Sequence, residues 1–122
     1  MTDKRKALGN RGEDLAAQRL ESLGYAIRER NWRCSVGELD IVTEKDGVLI
    51  FVEVRTRHGD KFGTPEESIN KRKQAKLLEV SQTYLEEHHE EQRNWRIDVV
   101  AIEIGKRDEV VRMDVIEDAI EG

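Results

Sequence analysis

Asp40 and Glu53 are the residues whose types and spacing first suggest chemistry. In Gly37-Glu38-Leu39-Asp40-Ile41-Val42 the alternation sends Glu38 and Asp40 to one side of a strand and Leu39 and Ile41 to the other. Val48-Leu49-Ile50-Phe51-Val52-Glu53-Val54 is nearly all apolar and β-branched, which suits a strand buried on both faces. Lys45-Asp46-Gly47 between them offers a hairpin turn, because Gly47 tolerates positive φ. If Asp46-Gly47 is a two-residue loop, Lys45 pairs with Val48 and Asp40 lies opposite Glu53. A four-residue loop sets Asp40 opposite Phe51, with Glu53 as its diagonal neighbour. Either even length brings the two acids to one face.

Two carboxylates side by side repel each other by ~4 kcal/mol at ~4 Å and an effective dielectric near ~20. Either one of them keeps a proton or something positive sits between them. A hard divalent cation with oxygen ligands, magnesium above all, answers that need. The competing solution is a guanidinium: Glu53 pairs with Arg55 or another arginine, and no metal is involved.

The 122 residues are enough for one domain with a true core. Charged residues make up 39% and apolar ones 37%, and the apolar ones cluster into strands and helical stripes, so a folded domain with a charged surface is expected. A net charge of −5 argues against a general nucleic-acid coat protein but leaves local basic patches open. The single cysteine, Cys34, excludes an intrachain disulfide and agrees with a reducing cytosol. No apolar run is long enough to span a membrane and no signal peptide is visible, so a cytoplasmic protein is expected.

The elements that must position the acids follow from periodicity. Residues 1–8 and 119–122 are expected to fray. A first helix is predicted over residues 11–23, with Asn10 as N-cap, Gly24 ending it, and Ala16, Ala17, Leu20 and Leu23 as its stripe. Glu13 belongs to that inward stripe, where it either aims at the hairpin or closes a capping box with Asn10. Residues 25–33 read as an arginine-rich strand (Arg28, Arg30, Arg33) with Trp32 covering one end of the core or joining the arginines in gripping nucleic acid. A loop over residues 57–65 leads to a second helix ending near Glu87, starting at Glu66 or Asn70, with Gln74, Leu77, Leu78, Ser81, Tyr84 and Leu85 inward. Its first turns carry Lys71, Arg72, Lys73 and Lys76, a plausible phosphate patch unless they merely pair with Glu66, Glu67 and Glu79. The neighbouring His88 and His89 cannot share a helix face and make no metal site. A strand is predicted over residues 96–104; Asp98 interrupts its start, either as a further site acid or, the favoured reading, as a mark of the strand's exposed end. An edge strand over 109–115 and a short helix over 116–120 complete an α/β or α+β domain with a mixed sheet.

Gly12-Glu13, Gly37-Glu38-Leu39-Asp40, Phe51-Val52-Glu53-Val54-Arg55-Thr56-Arg57 and Lys73-Gln74 together resemble the YraN-like family of small bacterial proteins. The resemblance runs from about Gly9 to the Asp98 strand. It implies a restriction-endonuclease-like fold similar to that of Holliday junction resolvases, whose pattern is a helix Glu, a strand Asp and Glu-x-Lys on the next strand. By that resemblance Glu13 is the helix acid, expected to hold a metal-bound water or a second ion, Asp40 and Glu53 are metal ligands joined by the Val54 carbonyl, and Glu38 is a supporting or alternative ligand. Arg55 stands where the pattern has lysine. Arg30, Arg57, Lys71 and Lys73 are expected to hold substrate phosphates.

The implied activity is metal-dependent, structure-selective cleavage of DNA with Mg²⁺ or Mn²⁺ at the carboxylates. Arginine cannot serve as a general base, so Arg55 is expected to clamp phosphate and steady the transition state instead. The alternative is a nuclease-fold module that binds nucleic acid in a repair or processing complex without turnover. A homodimer is suggested only by analogy with resolvases.

Overall fold

A computed structural model describes residues 2–59 and 63–121. Its elements are α1 (Thr2–Ser22), β1 (Ala26–Arg33), β2 (Glu38–Lys45), β3 (Val48–His58), a 3-10 turn at Glu66–Ser68, α2 (Lys71–Glu87), β4 (Trp95–Ile104) and β5 (Val110–Ile116). They build a five-stranded mixed sheet in the order β1-β2-β3-β4-β5, antiparallel except for the β3–β4 pair.

The β2–β3 hairpin has the two-residue turn: Lys45 faces Val48, and Asp46 (φ 52°) and Gly47 (φ 80°) both take positive φ. That pattern matches the right-handed twist of the flanking strands. β3 is the central strand, and Leu49 through Val52 are buried on both sides as their composition requires. Ile50 and Val52 pack with Ala16, Ala17 and Leu20 of α1. Leu49 and Phe51 pack with Leu77, Val80, Tyr84 and Leu85 of α2. Because β-strand side chains alternate, the two helices cover opposite faces of the sheet. Trp32 caps the α2 layer, edge-on to Tyr84 at 4.9 Å.

Several sequence expectations need correcting. α1 begins at Thr2 rather than Arg11, so residues 2–8 are helical and Asn10 is a mid-helix residue that caps nothing. Leu23 is 46% exposed, because it lies beyond the last helical turn instead of in the stripe. α2 starts at Lys71, where the Asn70 side chain accepts from the Lys73 N–H at 2.9 Å. Val80 joins its buried face, while Gln74 and Leu78 are only half-buried. Leu39 and Ile41 do not share a core: Leu39 joins the α2 layer and Ile41 the α1 layer.

The C-terminal segment is not a helix among the described residues. The Ala119 N–H bonds the Ile97 carbonyl at 2.9 Å and Ile120 is buried. Asp98 is fully buried, not exposed. It accepts from the Tyr25 hydroxyl (2.8 Å), Arg96 Nε (2.9 Å), Arg96 Nη2 (3.2 Å) and the Asp118 N–H (2.9 Å). These four donors offset the cost of burying the charge.

Candidate active site

Cross-strand pairing of β2 with β3 stops at Ile41–Val52. Beyond it β2 continues with β1 as far as Arg33–Glu38, whereas β3 continues with β4 as far as His58–Ile104. The sheet therefore splits, and a notch opens between β2 and the last part of β3. Asp40 and Glu53 are the next residues in register, at the apex of the notch. Asp40 Oδ2 accepts the Val54 N–H at 2.9 Å, in place of the lost ladder partner. The Asp40 carboxylate lies close enough to Glu53 to raise the Glu53 pKa.

The notch opens into a cavity of about 870 Å³. Asn31, Arg33, Glu38 and Asp40 line one wall and Val54 to Arg57 the other. Glu13 enters from α1, and Ser68 and Lys73 approach from the α2 side. A second cavity of about 320 Å³ lies under α2, and Glu38, Asp40, Arg55 and Lys73 line both.

Glu13 reaches the site because α1 presses on β3 at Gly12. A Cβ there would stand 2.1 Å from Thr56 Oγ1, so only glycine permits the approach. Glu13 accepts from Asn31 Nδ2 at 2.9 Å and Arg30 Nε at 3.2 Å, which replaces the capping-box expectation. Burial raises its pKa more than Arg30 lowers it, and Asp40 adds to the rise. Asn31, missed in the sequence, is the second partner. Its φ of 55° sits in an otherwise extended strand, where the β1–β2 ladder skips the Asn31/Asp40 step. The short polar side chain tolerates that conformation. The same irregularity separates Leu39 from Ile41.

Burial and the neighbouring Asp40 push the Glu53 carboxyl up to about 8, although Arg55 pulls the other way. Arg55 Nη2 holds Glu53 Oε2 at 2.8 Å, so the guanidinium pairing expected as the alternative to metal is present. Asp40 Oδ1 and Glu53 Oε1 keep no nitrogen partner among the described residues. Glu38 is bound to Arg33 at 3.0 Å.

The proposed phosphate-binding residues divide. Lys73 and Arg57 line the larger cavity and form no ion pair among the described residues. Arg30 is held by Glu13 and Asp14 and lines neither cavity; Lys71 is exposed and also lies outside both. Lys76 lines the smaller cavity and pairs with Glu79 at 3.2 Å.

Among the described residues, no three His, Cys, Asp or Glu side chains converge as a ready metal site. Among the described side chains, what fits a hard cation is the Asp40–Glu53 pair: each keeps one oxygen without a nitrogen partner, in a position where a positive charge relieves their repulsion. The rest of a hard ion's shell would come from solvent or ligand oxygens.

A mixed sheet with a helix on each face and an acidic notch at its centre is consistent with a restriction-endonuclease-like α/β fold. Residues 12–102 match the sequence model of the Uncharacterised protein family UPF0102, and the chain belongs to that family, the YraN-like group its motifs resembled. It is similar to a UPF0102 protein of Roseiflexus castenholzii, with 45% identity over 122 residues covering 99% of this chain and 98% of the relative. A UPF0102 protein of Desulforamulus reducens is 44% identical over 98% of this chain and all of its own length. One from Acidothermus cellulolyticus is 51% identical over 84 residues, 69% of this chain and 64% of its own. No helix among the described residues is long and apolar enough to cross a membrane.

Proposed function

We propose that this protein is a metal-dependent phosphodiesterase acting on nucleic acid, a structure-selective DNA endonuclease of the resolvase type. The observation that carries the reading is the adjacency of Asp40 and Glu53 where two cavities meet: Asp40, Arg55 and Lys73 line both, Glu53 lines the smaller, and Glu13 and Arg57 line the larger. Asp40 and Glu53 would hold the ion, Mg²⁺ or Mn²⁺. When bound, it neutralises phosphate charge and makes an attacking water more acidic.

The remaining chemistry belongs to the chain's own side chains. Val54 N–H fixes the rotamer of Asp40. Glu13, raised in pKa and steadied by Asn31 and Arg30, lines the cavity as a hydrogen-bonding group for water. Arg57 and Lys73 can draw a phosphodiester into the cavity, and Arg55 can clamp two of its oxygens. No arginine takes a proton from water at neutral pH, so proton acceptance falls to a carboxylate or a phosphate oxygen. Selectivity would come from backbone shape, because the cations around the notch are suited to phosphates and not to base edges.

The test is cleavage of branched and linear DNA with Mg²⁺ or Mn²⁺ by the wild type beside Asp40→Asn and Glu53→Gln. Loss in both variants is expected, and activity that survives both overturns the assignment. One observation favours a second reading, a binding module without turnover: the Arg55 guanidinium already occupies one oxygen of Glu53. Salt-dependent DNA binding with no cleavage under any divalent ion would select it.

A further inference from the structure

Arg55 is the notch residue that, among the described residues, has a buried side-chain nitrogen with no hydrogen-bond partner. Its Nη2 holds Glu53, yet its Nε is buried with no partner. A guanidinium presents five donors in a rigid fork, so an orphaned N–H next to a used one marks a fork only partly filled. Arg55 also stands at the join, lining both the larger cavity and the smaller one under α2. The larger cavity also holds Arg57 and Lys73, which form no ion pair among the described residues and offer cations to an anion beside the acids Glu13 and Asp40 on the same lining.

We infer that Arg55 is a positioning residue that makes ion binding at Asp40–Glu53 and phosphodiester binding in the larger cavity mutually dependent. The inference rests on the metal site proposed above and adds its regulation. A phosphate offers the guanidinium two parallel acceptors, a better match than the single Glu53 oxygen it holds at rest. Taking that match withdraws Arg55 from Glu53 and leaves the carboxylate pair open to a cation. A cation arriving first displaces Arg55 from Glu53 and frees it for phosphate. Each ligand breaks the same Arg55–Glu53 contact, so the second to bind is spared that cost, and the benefit is reciprocal.

The test separates this inference from the reading beneath it. Mn²⁺ binding to the protein alone is followed by loss of the free-ion EPR signal, with Asp40→Asn as control. Binding of a fluorescently labelled branched DNA is followed by anisotropy at fixed ionic strength, with and without saturating Mn²⁺. For the wild type, Mn²⁺ should tighten DNA binding about tenfold, inside the range usual for coupled sites. Arg55→Ala should bind Mn²⁺ alone at least as tightly as the wild type, and should lose most of that enhancement. Arg55→Gln, which removes the charge but keeps a polar side chain beside Glu53, gives the same comparison if the alanine variant does not fold. Equal enhancement in wild type and variant, or none in the wild type despite binding of both ligands, overturns the inference and leaves the metal site standing. Mn²⁺ binding that is absent, or unaffected by Asp40→Asn, overturns both.

Discussion

Glu53→Gln should remove a pH dependence of stability that the wild type carries. Glu53 is 11% exposed, and burial beside Asp40 lifts its pKa from 4.5 to about 8. Between those values the folded protein keeps a proton that the unfolded chain has lost. Stability from this group is therefore fully present below pH 4.5, falls as the pH rises, and levels off above 8. At ~1.4 kcal/mol per pH unit the loss is ~3 kcal/mol by neutral pH and approaches ~5 kcal/mol above the folded pKa. Glutamine copies the protonated acid: it can donate to Asp40, fills the same space and never ionises. The stability of Glu53→Gln relative to wild type should thus grow by ~3–5 kcal/mol between about pH 5 and about pH 9. Urea unfolding across that range, with chelator present, measures the difference directly. Taking the difference cancels the titration of Glu66, Glu67 and Glu90, whose pKa values are lowered and whose contributions run the other way. A difference that stays flat with pH would mean that Arg55 keeps Glu53 ionised throughout, and the raised Glu53 pKa would have to be given up.

A divalent ion should reverse that slope. Mg²⁺ or Mn²⁺ should raise the melting temperature of the wild type near pH 7 and release a proton on binding, measurable by calorimetry in two buffers; Asp40→Asn should show neither effect. Asp98→Ala leaves Arg96 and the Tyr25 hydroxyl without their shared acceptor and should cost ~3–5 kcal/mol in denaturant unfolding, whereas a loss below ~1 kcal/mol would show that the cluster contributes little. Gly12→Ala drives a methyl into Thr56 Oγ1 and should cost ~1–3 kcal/mol, with part of the loss recovered in Gly12→Ala/Thr56→Ala; strict additivity in that cycle would contradict the close contact.

The hairpin was legible in the sequence because its information is local. Asp46-Gly47 dictates the turn, the turn fixes the register, and the register carries Asp40 to Glu53. The family match and the mixed α+β architecture followed the motifs in the same way. What was not legible depends on partners far along the chain. Asp98 looked like a strand end because an acid reads as exposed, and only Tyr25, Arg96 and Asp118 together make its burial tolerable. Residues 2–8 carry no apolar stripe, so periodicity could not extend α1 to Thr2. Asn31 gave no signal beyond its residue type, a known tolerance for left-handed backbone. Glu13 was visible as an inward position and, through the resemblance, as the helix acid; its hydrogen bonds to Asn31 and Arg30 come from a strand that alternation could not orient.

The parting of β2 from β3 has a consequence for how any long polymer must lie on this molecule. Helices pack on both broad surfaces of the sheet, so on the proposed function a nucleic-acid strand would reach the acids edge-on, entering the cleft roughly in the plane of the strands. It would then be gripped like a card between two fingers, with α1 touching one side through Glu13 and α2 the other through Lys73. A rigid straight duplex is poorly shaped for such a slot, whereas a chain that bends, frays or branches at the point of entry is well shaped for it.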